Sequence, residues 1–504
     1  MLAECHRCNF RRLTLEKTGG EEQMTTAVVV GSGPNGLAAA IELARAGIDV
    51  HVIEGADKIG GGTRSSEYIV DGLVHDDCSA FHPTALASPY FKALNREFGL
   101  AKHGLTWLWP EIDLVHPLDD GTAGVLWRDI NRTAEGLGVD GKRWLDVFGY
   151  LSENFDELVQ DVFQPIVHVP KHPLMLARFG TGALLPATGF ARMFKTPQAR
   201  ALFGGVAAHM FGTLTIPLSS AVGSMLTAAA HAHGWPVAQG GSGSIAAALA
   251  SILRSLGGTI ETGNWVTNYS QIADYDIVML DIAPDAAGRL LDGRQPDRIA
   301  RAYRKFRYGT AAYKVDYAVR GDSDGSVVPW TNPHARKAGT LHLSGAMPEI
   351  AAVERQTVRG QMPDKPFILL CQQFFADPSR SVGDIHPVWA YAHVPHGYPS
   401  DATDAVTRQI ERFAPGFRDR VVGVHVRNVP QMQAYNPNYV GGDISAGANT
   451  ARQIIARPRF GLDPYATGAP GVYLCSSATP PGGGVHGMGG FNAARAALQS
   501  TLIP

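Results

Sequence analysis

Three glycines at GxGxxG spacing, Gly31, Gly33 and Gly36, are followed after 18 residues by an acid, Glu54. Each residue type has a job in holding a dinucleotide. Gly31 permits a tight turn, Gly33 lets the backbone approach a pyrophosphate, and Gly36 lets a helix pack against a strand. A carboxylate at Glu54 accepts hydrogen bonds from ribose hydroxyls and repels a 2′-phosphate. The turn as a whole, with Pro34 and Asn35 between the glycines, is assigned to the cofactor. A second glycine-rich turn, Gly60, Gly61, Gly62, Thr63 and Arg64, comes soon after. It suits a ligand longer than NAD; taken alone it also suits a plain flexible loop.

The elements around these residues fit that reading. Val28, Val29 and Val30 form a buried parallel strand. Leu37, Ile41 and Ala44 recur at helical spacing, and Gly47 ends that helix. A second strand runs over 50–53. The α/β pattern returns from Gly240, with a glycine turn, a helix over 245–256, and strands over 259–262 and 277–282. Between 300 and 455 alternating strands over 312–318, 367–371 and 388–392 suit an antiparallel sheet, followed by a helix over 404–413. A buried strand over 471–475 leads into a glycine-rich turn and a last helix over 491–500. Gly482, Gly484 and Gly487 also match GxGxxG, but no acidic strand follows, so a second dinucleotide domain is rejected. Free N–H groups at that helix N-terminus instead suit an electron-rich ring oxygen.

The 504 residues are too many for one simple domain and suit two large ones. A formal net charge of −2 gives no sign of nucleic-acid binding. Five scattered cysteines imply no disulfide framework, and the Cys5/Cys8 CxxC has no second pair to complete a metal site, so no metal is expected. Residues 1–23 read as a disordered extension without an apolar signal core, Met24 is an alternative start, and a cytoplasmic location follows. His75 in the 75–83 loop reads as a surface histidine. His82 is left open between surface and site. No Asp, Glu, Lys or Arg occurs from Ala201 to Leu253. Three readings stay open for this stretch: helices buried between domains, the wall of an apolar tunnel, or a surface touching membrane.

The 27–65 segment resembles the FAD fingerprint of flavin amine oxidases and phytoene desaturases. TPPGGGVHGMGGFNAARAAL near the C-terminus resembles the flavin motif of the phytoene desaturase-like family, and AYNPNYVGGDI and RFAPGFRDR resemble its bacterial branch. The resemblance runs from about Ala27 to the end. It implies FAD, with the Val266 backbone against the adenine and Gly484, Val485, His486, Gly487 and Met488 around the isoalloxazine. Lys314 lies on a strand similar to the one that bears a flavin-facing lysine in amine oxidases; the other reading is a strand lysine reaching solvent. Ser476 and Ser477 stand where the amine oxidases carry Gly-Asp.

The fold expected is α/β: a Rossmann-like FAD-binding domain from 24–85, 236–300 and 456–504, with an inserted α+β substrate domain of mixed or antiparallel sheet plus helices from 86–235 and 301–455. The expected activity is dehydrogenation of a hydrophobic, isoprenoid- or carotenoid-like small molecule by hydride transfer to flavin N5. Oxygen or a quinone would take the electrons, and peripheral membrane contact stays open. The alternatives are an amine oxidase-like enzyme acting on a polar substrate and a flavoprotein acting through a partner.

Overall fold

Short Val- and Ile-rich strands that are covered on both faces pair in parallel. The computed structural model, which describes residues 14–15, 23–323 and 325–501, places five such strands in the order Thr259–Glu261, Asp49–Ile53, Thr26–Val30, Ile277–Leu280, Val472–Leu474. Every pairing in this sheet is parallel. Successive side chains point to opposite faces, so one strand feeds two cores. Ala27 and Val29 join the core under the first helix, and Val28 and Val30 join the core on the other face.

The helix Pro34–Arg45 starts with Pro at its first turn, and the chain leaves it through Gly47 at φ 82°. The last helix, Met488–Thr501, lies against it. The contact is backbone to backbone: a Cβ on Gly490 would lie 1.8 Å from the Asn35 carbonyl oxygen.

A second, seven-stranded sheet has the order Val421–Arg427, Ala311–Arg320, Ile385–Val394, Ile368–Cys371, Ala338–Leu343, Ile112–Pro117, Ala123–Leu126. It is mixed, with one parallel pair, Ala338–Leu343 beside Ile112–Pro117. Its last two strands lie within 86–235, outside the 300–455 region where the sequence pattern places this sheet's strands. The signal was present, since Asp119, Asp120 and Gly121 make a turn between two apolar runs. The charge-free stretch supplies the buried helices Pro197–Ala208 and Ser220–His233.

In the expected extension, Thr14–Leu15 pairs antiparallel with Gln23–Met24, a short ladder rather than a disordered tail at those positions. Cys5, Cys8 and the rest of 1–23 lie outside the described residues, apart from Gln23. Among the described residues no helix is long and apolar enough to cross a membrane.

Gly490→Ala should force the two helices apart and cost about 1–3 kcal/mol. Gly149→Ala, in a helix with nothing within 4 Å of the added carbon, should stabilise by up to about 1 kcal/mol. Denaturant unfolding checks the opposite signs.

Candidate functional site

A cavity of about 1330 Å³ opens at the C-terminal ends of the parallel strands and continues beneath the seven-stranded sheet. Its first part is the glycine turn. Gly31 sits at φ 101°, and a Cβ on it would come 2.9 Å from the Asp281 carbonyl oxygen. A Cβ on Gly36 would lie 2.2 Å from the Gly31 carbonyl oxygen. Only glycine allows helix, turn and strand to approach this closely.

The Glu54 carboxylate holds the turn. Oε2 accepts from the Ser32 N–H at 2.9 Å and the Ser32 hydroxyl at 2.5 Å, and Oε1 accepts from the Ala56 N–H at 2.9 Å. Arg64 reaches the same carboxylate at 3.4 Å and donates to the Lys58 carbonyl at 2.9 Å. Backbone bonds extend the scaffold, from Asn264 N–H to the Glu54 carbonyl at 3.0 Å and from Gly60 N–H to the Ser32 carbonyl at 3.1 Å. Trp265 lies so close over Gly55 that a Cβ there would be 2.4 Å from the indole.

The far end of this groove is the loop before the last helix. Asn35 Nδ2 donates to the Ser477 hydroxyl at 3.1 Å and ties the glycine turn to that loop, while Asn35 Oδ1 is buried without a partner among the described residues. His486 is buried, which lowers its pKa to about 4, and its Nδ1 accepts the Met488 N–H at 3.1 Å. A neutral imidazole therefore caps the helix. The crowded glycines, the orphaned amide oxygen and the length of the groove fit an extended dinucleotide.

Of the residues singled out from sequence, Gly31, Gly33, Pro34, Asn35, Glu54, Gly61, Gly62, Thr63, Arg64, Val266, Gly484, Val485 and His486 line the cavity. Gly36, Gly60, Gly487 and Met488 support it from behind. A Cβ on Gly487 would meet the Tyr90 ring at 2.8 Å, and Met488 belongs to the core.

Lys314 is not the strand lysine reaching solvent. It is buried rather than solvent-reaching, it donates to Asp316, and its ammonium lies 4.8 Å from the centre of the Trp389 ring. Trp389 lines the cavity, and Lys314 stands behind it. His75 corrects the surface reading: it is buried, with Nδ1 3.4 Å from Asp316. His82 is buried too and lies 2.9 Å from the Ser242 hydroxyl, whereas its neighbours Cys78, Ser79, Ala80 and Phe81 face the cavity.

The deeper part of the cavity is walled by Phe163, Phe179, Phe211, Met225, Leu226 and Tyr391, among others. The charge-free stretch divides here. Phe211 and Met225 line the cavity, while Phe203 and Met210 are packed in a solid core. Among the described residues, the three non-glycine residues at positive φ, Phe211 (51°), Leu218 (69°) and Ala446 (56°), all line the same cavity. Backbone strain of about 1–3 kcal/mol per residue is thereby concentrated at the site.

Two lining residues carried no sequence signal. Asp281 closes a buried strand, and its Oδ2 accepts the Gly36 N–H at 3.0 Å. Burial first, and the nearby Glu54 charge second, push its pKa up to about 7. Arg457 is fully buried; its Nη2 donates to the Gly447 carbonyl at 3.0 Å, and its Nε has no partner among the described residues.

Comparison with known proteins agrees with this geometry. Residues 29–98 match the NAD(P)-binding Rossmann-like domain family. Pyridine nucleotide-disulfide oxidoreductase domain-containing protein 2 of Rattus norvegicus is 23% identical, over 93% of this chain and 92% of its own. Hydroxyneurosporene desaturase of Cereibacter sphaeroides is 27% identical, over 67% of this chain and 73% of its own. Among solved structures, a putrescine oxidase variant superposes with a TM-score of 0.60 at 17% identity, covering 95% of this chain and 98% of its own.

With a folded pKa near 7 and an unfolded value of about 4, Asp281 favours the folded state fully below about pH 4, and that contribution is lost as pH rises to about 7. Asp281→Asn should flatten the stability profile between those limits. The slope due to Asp113, whose pKa burial also raises to about 7, should remain. Unfolding titrations across pH 4–8 check it; an unchanged slope would show Asp281 already charged.

Proposed function

Since the chain belongs to the phytoene desaturase-like flavin amine oxidase superfamily, we propose that this oxidoreductase binds FAD and dehydrogenates an apolar, isoprenoid-like small molecule. One observation carries the substrate class. Each carboxylate lining the cavity lies elsewhere or is already engaged. Glu54 and Asp281 belong to the glycine turn, Asp161 accepts the Lys171 and His172 N–H groups at 2.8 Å each, and Asp285 pairs with Arg289 at 2.7 Å. The walls of the deeper part offer aromatic and aliphatic surface and no carboxylate partner for an ammonium.

FAD, when bound, supplies a two-electron acceptor for a hydride. The chain's own residues bind and orient. Glu54 and the Val266 backbone take the adenosine end, and the N-terminus of Pro34–Arg45 takes the pyrophosphate. The 476–488 segment takes the ring, and Phe211, Met225 and Trp389 exclude water from the reacting carbons. We propose oxygen or a quinone as the final acceptor. Val169, 90% exposed, follows the lining residue His168 in sequence, and Leu174, 85% exposed, comes two positions before the lining residue Leu176. That supports a cytoplasmic protein that touches a membrane surface where its substrate dissolves.

Denatured protein should release FAD rather than FMN or NAD. Anaerobic addition of hydroxyneurosporene in detergent should bleach the flavin and lengthen the polyene. Bleaching by putrescine alone would move the reading to an amine oxidase, and bleaching by neither would sink the dehydrogenase. Glu54→Ala should weaken FAD binding by about 1.5–3 kcal/mol; unchanged affinity would remove the ribose role.

A further inference from the structure

Among the described residues, one buried cation on the cavity wall has no carboxylate to pair with. The arginines that line the cavity are Arg64, Arg289 and Arg457. Arg64 reaches Glu54 at 3.4 Å, and Arg289 pairs with Asp285 at 2.7 Å. Arg457, only 5% exposed, bonds to neutral oxygens instead, the Gly447 carbonyl at 3.0 Å and the Asn449 amide oxygen at 3.3 Å. Both bonds come from Nη2. Among the described residues, Nε is buried without a partner and Nη1 donates to no oxygen. Nη1 lies against the glycine loop: a Cβ on Gly482 would come 2.6 Å from it, and the next residue, Gly483, lines the cavity.

The surrounding chain is built to hold this side chain. Asp443 is buried and spends its oxygens on its own loop and on Gly309. Oδ1 accepts the Ser445 N–H at 2.8 Å and the Ser445 hydroxyl at 2.6 Å, and Oδ2 accepts the Gly309 N–H at 2.6 Å and the Gly447 N–H at 2.9 Å. The loop folded in this way carries Ala446 at φ 56° and aims the Gly447 carbonyl at the guanidinium. Asn449 reaches the opposite wall, where its Nδ2 donates to the Met210 carbonyl at 2.6 Å, next to Phe211. The guanidinium therefore stands where the glycine loop meets the apolar chamber. A neutral amide side chain could make the same hydrogen bonds with less desolvation. A guanidinium keeps its charge, and a buried charge is costly unless it is paired. Burial lowers the pKa of Arg457 below its ordinary value, and the Asp443 charge, acting through space, offsets only part of that effect. An anion in the cavity would complete the pair. A carboxylate suits the site because it only accepts hydrogen bonds and matches the planar donor set.

We propose that Arg457 binds the acidic head of the substrate, so that the molecule dehydrogenated is an apolar chain ending in a carboxylate. The proposal rests on the dehydrogenation reading above and narrows its substrate class. Gly447 and Asn449 are positioning residues that fix the guanidinium. The head sits beside Phe211, and the chain occupies the chamber beyond it. The same positive charge repels an ammonium, which works against a diamine substrate.

Calorimetric titration of the purified holoenzyme with farnesoic acid, its methyl ester and farnesol at about pH 7.5 tests the pairing, because the ester and the alcohol keep the chain and remove the charge. Farnesoate should bind at least about tenfold more tightly than either. Arg457→Met should shrink that difference to under about twofold with the affinity for the ester kept, and Arg457→Lys should restore part of it. Equal affinities in the unmodified protein, or a preference that survives in folded Arg457→Met, would overturn the proposal. A crystal structure of the unmodified protein with farnesoate decides the matter even if Arg457→Met does not fold: a carboxylate on Arg457 supports the proposal, and a carboxylate elsewhere overturns it. The flavin potential separates the other source of negative charge, the reduced cofactor. An Arg457→Met protein whose potential falls while its preference for farnesoate stays would assign the guanidinium to the ring and overturn the acid site. Should the unmodified protein hold no FAD, the proposed function fails, while titration of the protein as purified still decides the acid site.

Discussion

The site depends on one steric constraint, the backbone contact between the helices Pro34–Arg45 and Met488–Thr501. With a Cβ on Gly490 only 1.8 Å from the Asn35 carbonyl oxygen, the helices lie as close as two main chains allow. That contact presses the loop of Ser477 and His486 against the glycine turn. The Asn35 to Ser477 hydrogen bond then joins groove walls that are 442 residues apart in sequence. A wider spacing of these helices would leave two separate clefts.

Electrostatics refine what packing begins. The Glu54 carboxylate is surrounded by backbone and hydroxyl donors, whereas burial pushes the pKa of Asp281 up to about 7. The Lys314–Asp316 pair carries its charges behind Trp389 rather than into the cavity. The deeper cavity is apolar because its ionised neighbours are turned away from it or already paired.

The fold was legible where the signal is local. The valines before Gly31, the helical repeat after it and the alternating strands of 311–394 all lie where their patterns predict. Glu54 was legible as a residue of the site, and its carboxylate organises the glycine turn, which its spacing alone did not announce. What was illegible arises from distant partners. His75 reads as a surface residue until Asp316 is folded against it, and His209 meets His342 across 133 residues. Single histidines on strands carry no motif. Asp281 looked like the end of an apolar run, and its role comes only from the glycine turn it faces.

The groove also has a history within each molecule's synthesis. Its first wall, around Gly31, leaves the ribosome early, and its second, around His486, emerges some 455 residues later. Domains fold largely from the N-terminus as they are made, and contacts of such separation close last. The central strands of the parallel sheet, Thr26–Val30 and Ile277–Leu280, must therefore wait for Val472–Leu474 to be completed. Cofactor capture is accordingly a late event, set by the emergence of the segment around His486 rather than by the folding of the first βαβ unit.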